Sequence, residues 1–203
     1  MSSAAPHDQS LVDALFRHLA SKPDAPAYRT GNTVLSFRDV EAHTNRIAHA
    51  LVAMGVGRGD RVACLTKFHT ETLLLTLAAC KVGAVNMPVN WRLAASEIEY
   101  IVNHGQAKLL MVDEAFAAPL LPAAGKVSMP ALATIVCTDR DAAGLTSFAN
   151  WYRGHSDAFT AVKVDIDDAA LQLYSTGTTG LPKGVVLSHR GLLSTSQTVS
   201  TEW

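Results

Sequence analysis

The chain has 203 residues, with 17 Lys+Arg against 18 Asp+Glu for a formal net charge of -1, a 48% hydrophobic fraction and 17% charged residues. That composition excludes a largely disordered chain and fits one large domain, or a domain and a half, long enough to bury a core. The balanced charge lacks the field of a general nucleic-acid binder and no run of Lys or Arg replaces it, so no nucleic acid is expected as a partner.

In chain order, a polar leader (residues 1–10) has no basic n-region and no apolar h-region. Leu11, Leu15, Phe16 and Leu19 then predict a helix ended by Pro23 and Pro26. Ser36 opens Ser-Phe-Arg-Asp, a capping box with Asp in place of Glu, and Val40, Ile47, Leu51 and Met54 form one helical stripe closing at Gly55. RVACLT reads as a buried strand, residues 70–82 as an apolar helix and AVNMPV as a second strand. Ser96 and Glu99 predict a further capping box, with a helix to Gly105 and KLLMVD as a third strand. Residues 115–124 and 146–152 predict short helices around the strand ALATIVCT, and the polar stretch 165–168 reads as a linker whose Asp167 and Asp168 are solvated.

Strand, helix, strand, helix, strand with nearly continuous apolar strands predicts an α/β fold, a parallel sheet covered by helices on both faces; strand order is not legible. The longest apolar stretch, 72–80, stops at Lys81 well short of the roughly 20 residues of a membrane span, so a cytoplasmic protein without a transmembrane segment is expected. Cys64, Cys80 and Cys137 are odd in number and widely spaced, which reads as reduced core thiols. Charged residues fall below the roughly 25% of ordinary domains, which suggests a surface that is normally covered.

The chemistry concentrates in LQLYSTGTTGLPKGVVLSH, read as a strand, a loop and a second strand. Ser175, Thr176, Thr178 and Thr179 bring hydroxyls and Gly177 and Gly180 let backbone N–H groups approach an anion closely, a pattern suited to phosphate. Lys183 adds a compact positive charge and Pro182 stiffens the exit. A Walker A loop is excluded: Pro182 stands where its second Gly belongs, and Gly184 follows Lys183 in place of Ser or Thr. No G-x-G-x-x-G opens a helix after a strand, so a dinucleotide site has no support. A Thr/Gly-rich hairpin connection without a ligand is the competing reading.

YSTGTTGLPKG resembles the phosphate-binding signature of the adenylate-forming enzymes, and GVGRGDRVACL, KVGAVNMPVNWRL and SEIEYIVNHGQAKLLMVD resemble that family's N-terminal subdomain. Asn90 to Leu93 followed by SEIEYI is most similar to acyl-CoA synthetases acting on fatty or related acids. The resemblance implies that a carboxylic acid attacks the α-phosphate of MgATP to give acyl-adenylate and pyrophosphate, and that a thiol, usually CoA, then takes the acyl group. It implies that Ser175, Thr176, Gly177, Thr178, Thr179, Gly180 and Lys183 hold the β- and γ-phosphates, with Thr178 also a Mg²⁺ contact. A domain that loads a carrier protein, or a truncated non-catalytic binding module, are the alternatives.

The expected organisation is a leader at 1–10, an α/β subdomain at 11–165 and the start of a next subdomain at 166–203 with the phosphate loop at 174–184. The family's small C-terminal domain and its downstream adenine, ribose and Mg²⁺ motifs have no counterpart here, so the fragment alone is expected to be inactive, with no catalytic residue assigned within it. His189 is left out of the catalytic set, Trp91 and Arg92 are expected to pack, and the eight histidines form no H-x-x-x-H pair. The acid's identity, the thiol acceptor and any homo-oligomer stay open.

Overall fold

The computed structural model describes residues 10–67, 69–121, 127–138, 141, 144–175 and 181–202, with the backbone alone for 199–202. Helix α1 (Leu11–Ser21) is capped by Ser10, whose hydroxyl accepts the Asp13 N–H at 3.1 Å. Ser10 is 2% exposed, so the last residue assigned to the leader belongs to the packed fold. Strands β1 (Pro26–Thr30) and β2 (Thr33–Ser36) then form an antiparallel hairpin that the sequence reading passed over. Its two-residue Gly-Asn loop is a recognised hairpin signal, and Gly31 takes a φ of +53° there.

Helix α2 (Phe37–Ala53) starts with the predicted reciprocal cap: Asp39 accepts the Ser36 N–H at 2.9 Å and Ser36 accepts the Asp39 N–H at 3.1 Å. Strand β3 (Arg61–Leu65), α3 (Thr70–Lys81), β4 (Val85–Pro88), α4 (Ala95–His104) and β5 (Ala107–Val112) follow in the predicted alternation. The start of α4 corrects the expected cap. Ala94 is the capping position and Glu97 accepts its N–H at 2.8 Å, two residues before the Ser96–Glu99 pair, while Glu99 accepts the Ser128 N–H at 2.6 Å. The three-residue spacing is the same in both frames; an extended Ala94 leaves its N–H open to Glu97.

Helix α5 (Glu114–Ala117) runs into a 3₁₀ turn (Ala118–Leu120), followed by β6 (Thr134–Cys137), α6 (Phe148–Tyr152), β7 (Ala169–Ser175), β8 (Lys183–Ser188) and α7 (His189–Glu202). The six-stranded sheet has the order β6-β5-β3-β4-β7-β8, parallel except for β8, which runs antiparallel to β7. It is therefore a mixed α/β fold on a mostly parallel sheet, and the sheet runs through the division at residue 165.

Side chains alternate across the strands and fill two cores. Val62, Cys64, Leu109, Met111 and Val136 pack with Ile47 and Leu51 of α2 and Leu74, Leu75 and Ala78 of α3. Ala63, Leu65, Met87, Leu110 and Val112 face Ile98, Ile101 and Val102 of α4 on the other side. A fully buried lysine interrupts the first layer: Lys81 Nζ donates to Glu41 Oε2 and Asn45 Oδ1, each at 2.6 Å. Burial lowers its pKa and the Glu41 carboxylate counters that shift.

The stretch expected as a linker is a fastened turn. Asp168 accepts the Asp165 N–H at 2.7 Å and Asp165 accepts that of Asp167 at 2.9 Å, so the carboxylates replace missing backbone partners. Asp168 pairs with Arg58, and the largely exposed Asp167 pairs with Arg190 at 2.7 Å.

Candidate functional site

Because β3, β4, β5, β6 and β7 are parallel, all five end at one edge of the sheet, and the antiparallel β8 begins there. That edge collects Thr66 and Lys67 after β3, Asn90 to Arg92 after β4, Asp113 after β5, Ser175 at the end of β7 and Lys183 at the start of β8. Ser175 and Lys183 are cross-strand partners, so their side chains share a face. Both are exposed, and Lys183 makes no ion pair among the described residues. Pro182, beside Lys183, is buried. Thr176, Gly177, Thr178, Thr179 and Gly180 lie outside the described residues; Ser175 and Lys183 are the proposed phosphate contacts that the structure places, at the two roots of the loop.

Strand order reverses between β3 and β5: the chain passes from β3 to its neighbour β4, then to β5 on the other side of β3. Ligands in open α/β sheets favour the crevice at such a reversal. Here Asp113, 5% exposed, fills it: its Oδ2 accepts the Lys67 N–H at 2.8 Å and lies 3.2 Å from His69 Nε2, and its Oδ1 accepts the Thr138 hydroxyl at 2.8 Å. One carboxylate thus ties together the segments that follow β3, β5 and β6. Its partners are 46, 44 and 25 residues away, and the sequence offered no local signal for them.

Trp91 packs as expected, stacked on Phe116 with ring centroids 5.4 Å apart. Its ring also carries two cations, with the Arg92 guanidinium 4.3 Å and the Lys67 ammonium 5.3 Å from the centroid. The edge bearing Ser175 and Lys183 thus also holds the Lys67 and Arg92 cations. Among the described residues no group of three His, Cys, Asp or Glu side chains could hold a metal ion.

His189 lies at the opposite edge, since β8 carries the chain away from the loop. It is 1% exposed and its Nδ1 faces the Leu11 N–H at 3.5 Å, while burial pushes its pKa down. It joins α1 to α7. All three thiols are buried, and burial pushes Cys64 and Cys80 up to about 12, leaving them protonated and inert. Among the described residues no helix is long and apolar enough to cross a membrane.

The sequence matches the family model "AMP-binding enzyme" over residues 15–203. It is 35% identical over 97% of its length to a fatty acid–[acyl-carrier-protein] ligase of Streptomyces coeruleorubidus and 37% identical over 98% to 4-coumarate–CoA ligase 5 of Oryza sativa, covering 36% of each. The chain thus spans about a third of the length of these relatives. The fold superimposes on the anthranilate CoA ligase solved with anthranoyl-AMP (TM-score 0.85, 29% identity, 97% of this chain and 38% of that one). It also superimposes on ATP-bound MatB from Rhodopseudomonas palustris (TM-score 0.81, 32% identity, 97% and 38%). A mostly parallel sheet whose loop roots present an exposed hydroxyl and an exposed ammonium, with a family match over nearly its whole length, identifies this chain as a member of the AMP-binding enzyme family.

Proposed function

We propose that the native-length protein activates a carboxylic acid, of the fatty or a related class, with MgATP to an acyl-adenylate and then passes the acyl group to CoA. The observation that carries this reading is the Ser175–Lys183 pair at the roots of the loop 176–180, exposed on the carboxyl edge of the sheet. Lys183 would oppose the negative charge that collects on the departing pyrophosphate, and Ser175, Thr176, Thr178 and Thr179 would donate hydroxyl hydrogens to the β- and γ-phosphates. Gly177 and Gly180 would let the backbone close on them, and Thr178 would offer its oxygen to Mg²⁺, which when bound withdraws charge from the phosphates. Holding the anion in a fixed pose converts the attack by the carboxylate into an effectively unimolecular step.

The relatives include ligases of aromatic acids as well as fatty acids, and one, the S. coeruleorubidus ligase, is named for transfer to acyl-carrier protein. Loading of a carrier protein is therefore the second reading. In both, 166–203 adds the phosphate loop to the sheet shared with the preceding residues, and the 203-residue chain alone does not turn over. The test is acid-dependent exchange of labelled pyrophosphate into ATP by the native-length protein, followed by CoA and carrier-protein acceptors. Exchange with fatty acids and release by CoA is the expected result; no exchange with any fatty, aryl or amino acid in a folded protein would leave the non-catalytic module.

A further inference from the structure

The face of β7 opposite Ser175 carries a run of hydrogen bonds whose directions are set by donor chemistry. Arg61 Nε can only donate, and gives its hydrogen to Gln172 Oε1 at 3.2 Å. That fixes the amide orientation, so Gln172 Nε2 donates to Tyr174 Oη at 3.0 Å. Tyr174 Oη then lies 2.7 Å from His104 Nδ1, and the phenol donates there in the tautomer that carries the imidazole hydrogen on Nε2. The His104 ring also meets Tyr174 edge-on at 5.8 Å and is itself stacked on Tyr100 of the same helix at 5.5 Å, so the last turn of α4 packs against the phenol as well as bonding it. Burial pushes the Tyr174 pKa above its ordinary value, which keeps the hydroxyl a donor.

These bonds hold the rung beside the loop roots. Tyr174 is the cross-strand partner of Gly184, and Ser175 that of Lys183. A Cβ on Gly184 would stand 3.0 Å from Gln172 Nε2 and 3.4 Å from the Tyr174 ring, so Gln172 and Tyr174 cover a strand position that has no side chain of its own. A tyrosine lying over a glycine rung, with its hydroxyl fixed at both sides, restrains the twist of the two strands where they part into the loop.

We infer that Tyr174 is a positioning residue: held by His104 and Gln172, it fixes the Tyr174–Gly184 rung and so sets Ser175 and Lys183 for the phosphates of a nucleoside triphosphate. This rests on the reading of the loop given above. In the native-length protein, Tyr174→Phe keeps the ring over Gly184 and removes the hydroxyl, and His104→Ala removes its acceptor. Each variant should raise the equilibrium Kd for MgATP and the KM for ATP in pyrophosphate exchange about three- to tenfold, with Tyr174→Phe, which loses the bonds to both His104 and Gln172, the larger of the two. The kcat and the KM for the acid should stay at wild-type values, and the melting temperature should fall by a few degrees at most, as Gln172 Nε2 loses its acceptor in Tyr174→Phe. The double variant should bind MgATP no more than about twofold worse than Tyr174→Phe, since that change already removes the one bond His104→Ala breaks. An unchanged Kd in Tyr174→Phe overturns the inference, and so does a Kd that rises only in step with a falling melting temperature. A wild-type protein that neither binds MgATP nor exchanges pyrophosphate would instead defeat the reading of the loop, and this inference with it.

Discussion

At the centre of the sheet, Ala63 and Leu65 of β3, Met87 of β4 and Leu110 of β5 are all at 0% exposure, whereas on the β7–β8 hairpin Leu173, Val185 and Val186 stand at 39%, 47% and 54%. The centre is fixed by apolar burial between two helical layers, which is strong, non-directional and intolerant of lost volume. The hairpin is held by ladder bonds and a few oriented side-chain bonds, which are weaker but leave its polar roots free. Scaffold and candidate site thus share one sheet but depend on different forces, and substitutions should separate them.

The largest effect should come from the centre. Leu65→Ala should cost about 3–5 kcal/mol by leaving a cavity, read by chemical denaturation. Glu41→Ala should follow at about 3 kcal/mol, because it strands the Lys81 ammonium in the core; Lys81→Met should cost clearly less, since it removes the buried charge and leaves Glu41, whose side chain is 16% exposed, in reach of water. If both cost the same, the pair adds nothing beyond packing. On the hairpin the order of effects should invert. Lys183→Ala should slow adenylation on the order of ten- to a hundredfold, as expected for a charge-assisted contact, while leaving stability within about 0.5 kcal/mol. An unchanged rate at limiting ATP would remove Lys183 from the site.

Acid should loosen the scaffold before it touches the loop. Burial holds the pKa values of His43 and His189 below the ordinary 6.5, so the unfolded chain binds protons more readily than the folded one, and stability should fall as pH drops below about 6.5. A second loss should follow as pH falls below 3.8 through the depressed values of Asp39, lowered by its bonds to Ser36, and of Asp167, lowered by Arg190. His189→Gln should flatten the first limb in denaturation curves taken between pH 5 and 7.5; an unaltered slope would assign that limb elsewhere. The smallest effect should be Val186→Thr, within about 0.5 kcal/mol by the same measurement, because the side chain is already half in water.

What could be read from the chain was whatever physics writes locally. RVACLT, AVNMPV and KLLMVD announce buried parallel strands because both faces are apolar, and Ser36 to Asp39 announces a helix start because a cap spans three residues. The same locality misled at α4, where Ala94–Glu97 and Ser96–Glu99 offer equivalent spacing and the backbone of Ala94 decides. The resemblance carried by the loop motif pointed to Ser175 and Lys183, and the order of the strands, which no local pattern encodes, brought them to the edge that also holds Lys67, Trp91 and Arg92. Asp113 and the His104–Tyr174 bond were invisible for a related reason: a hydrogen bond between residues 70 positions apart leaves no trace in spacing.

The run of β8, Lys-Gly-Val-Val-Leu-Ser, has a consequence for handling the protein. Its outer side pairs with no strand among the described residues, and Val185 and Val186 face opposite ways, so each surface of the ribbon exposes a valine. Such an edge is a template for another copy, and natural sequences guard it with charge. Lys183 is the one charged residue on the strand. Removing it for a kinetic experiment also removes the guard, so dispersity by light scattering belongs beside every rate measured on a Lys183 variant, and Lys183→Gln, which keeps a long polar chain, should remain the better behaved of the neutral substitutions.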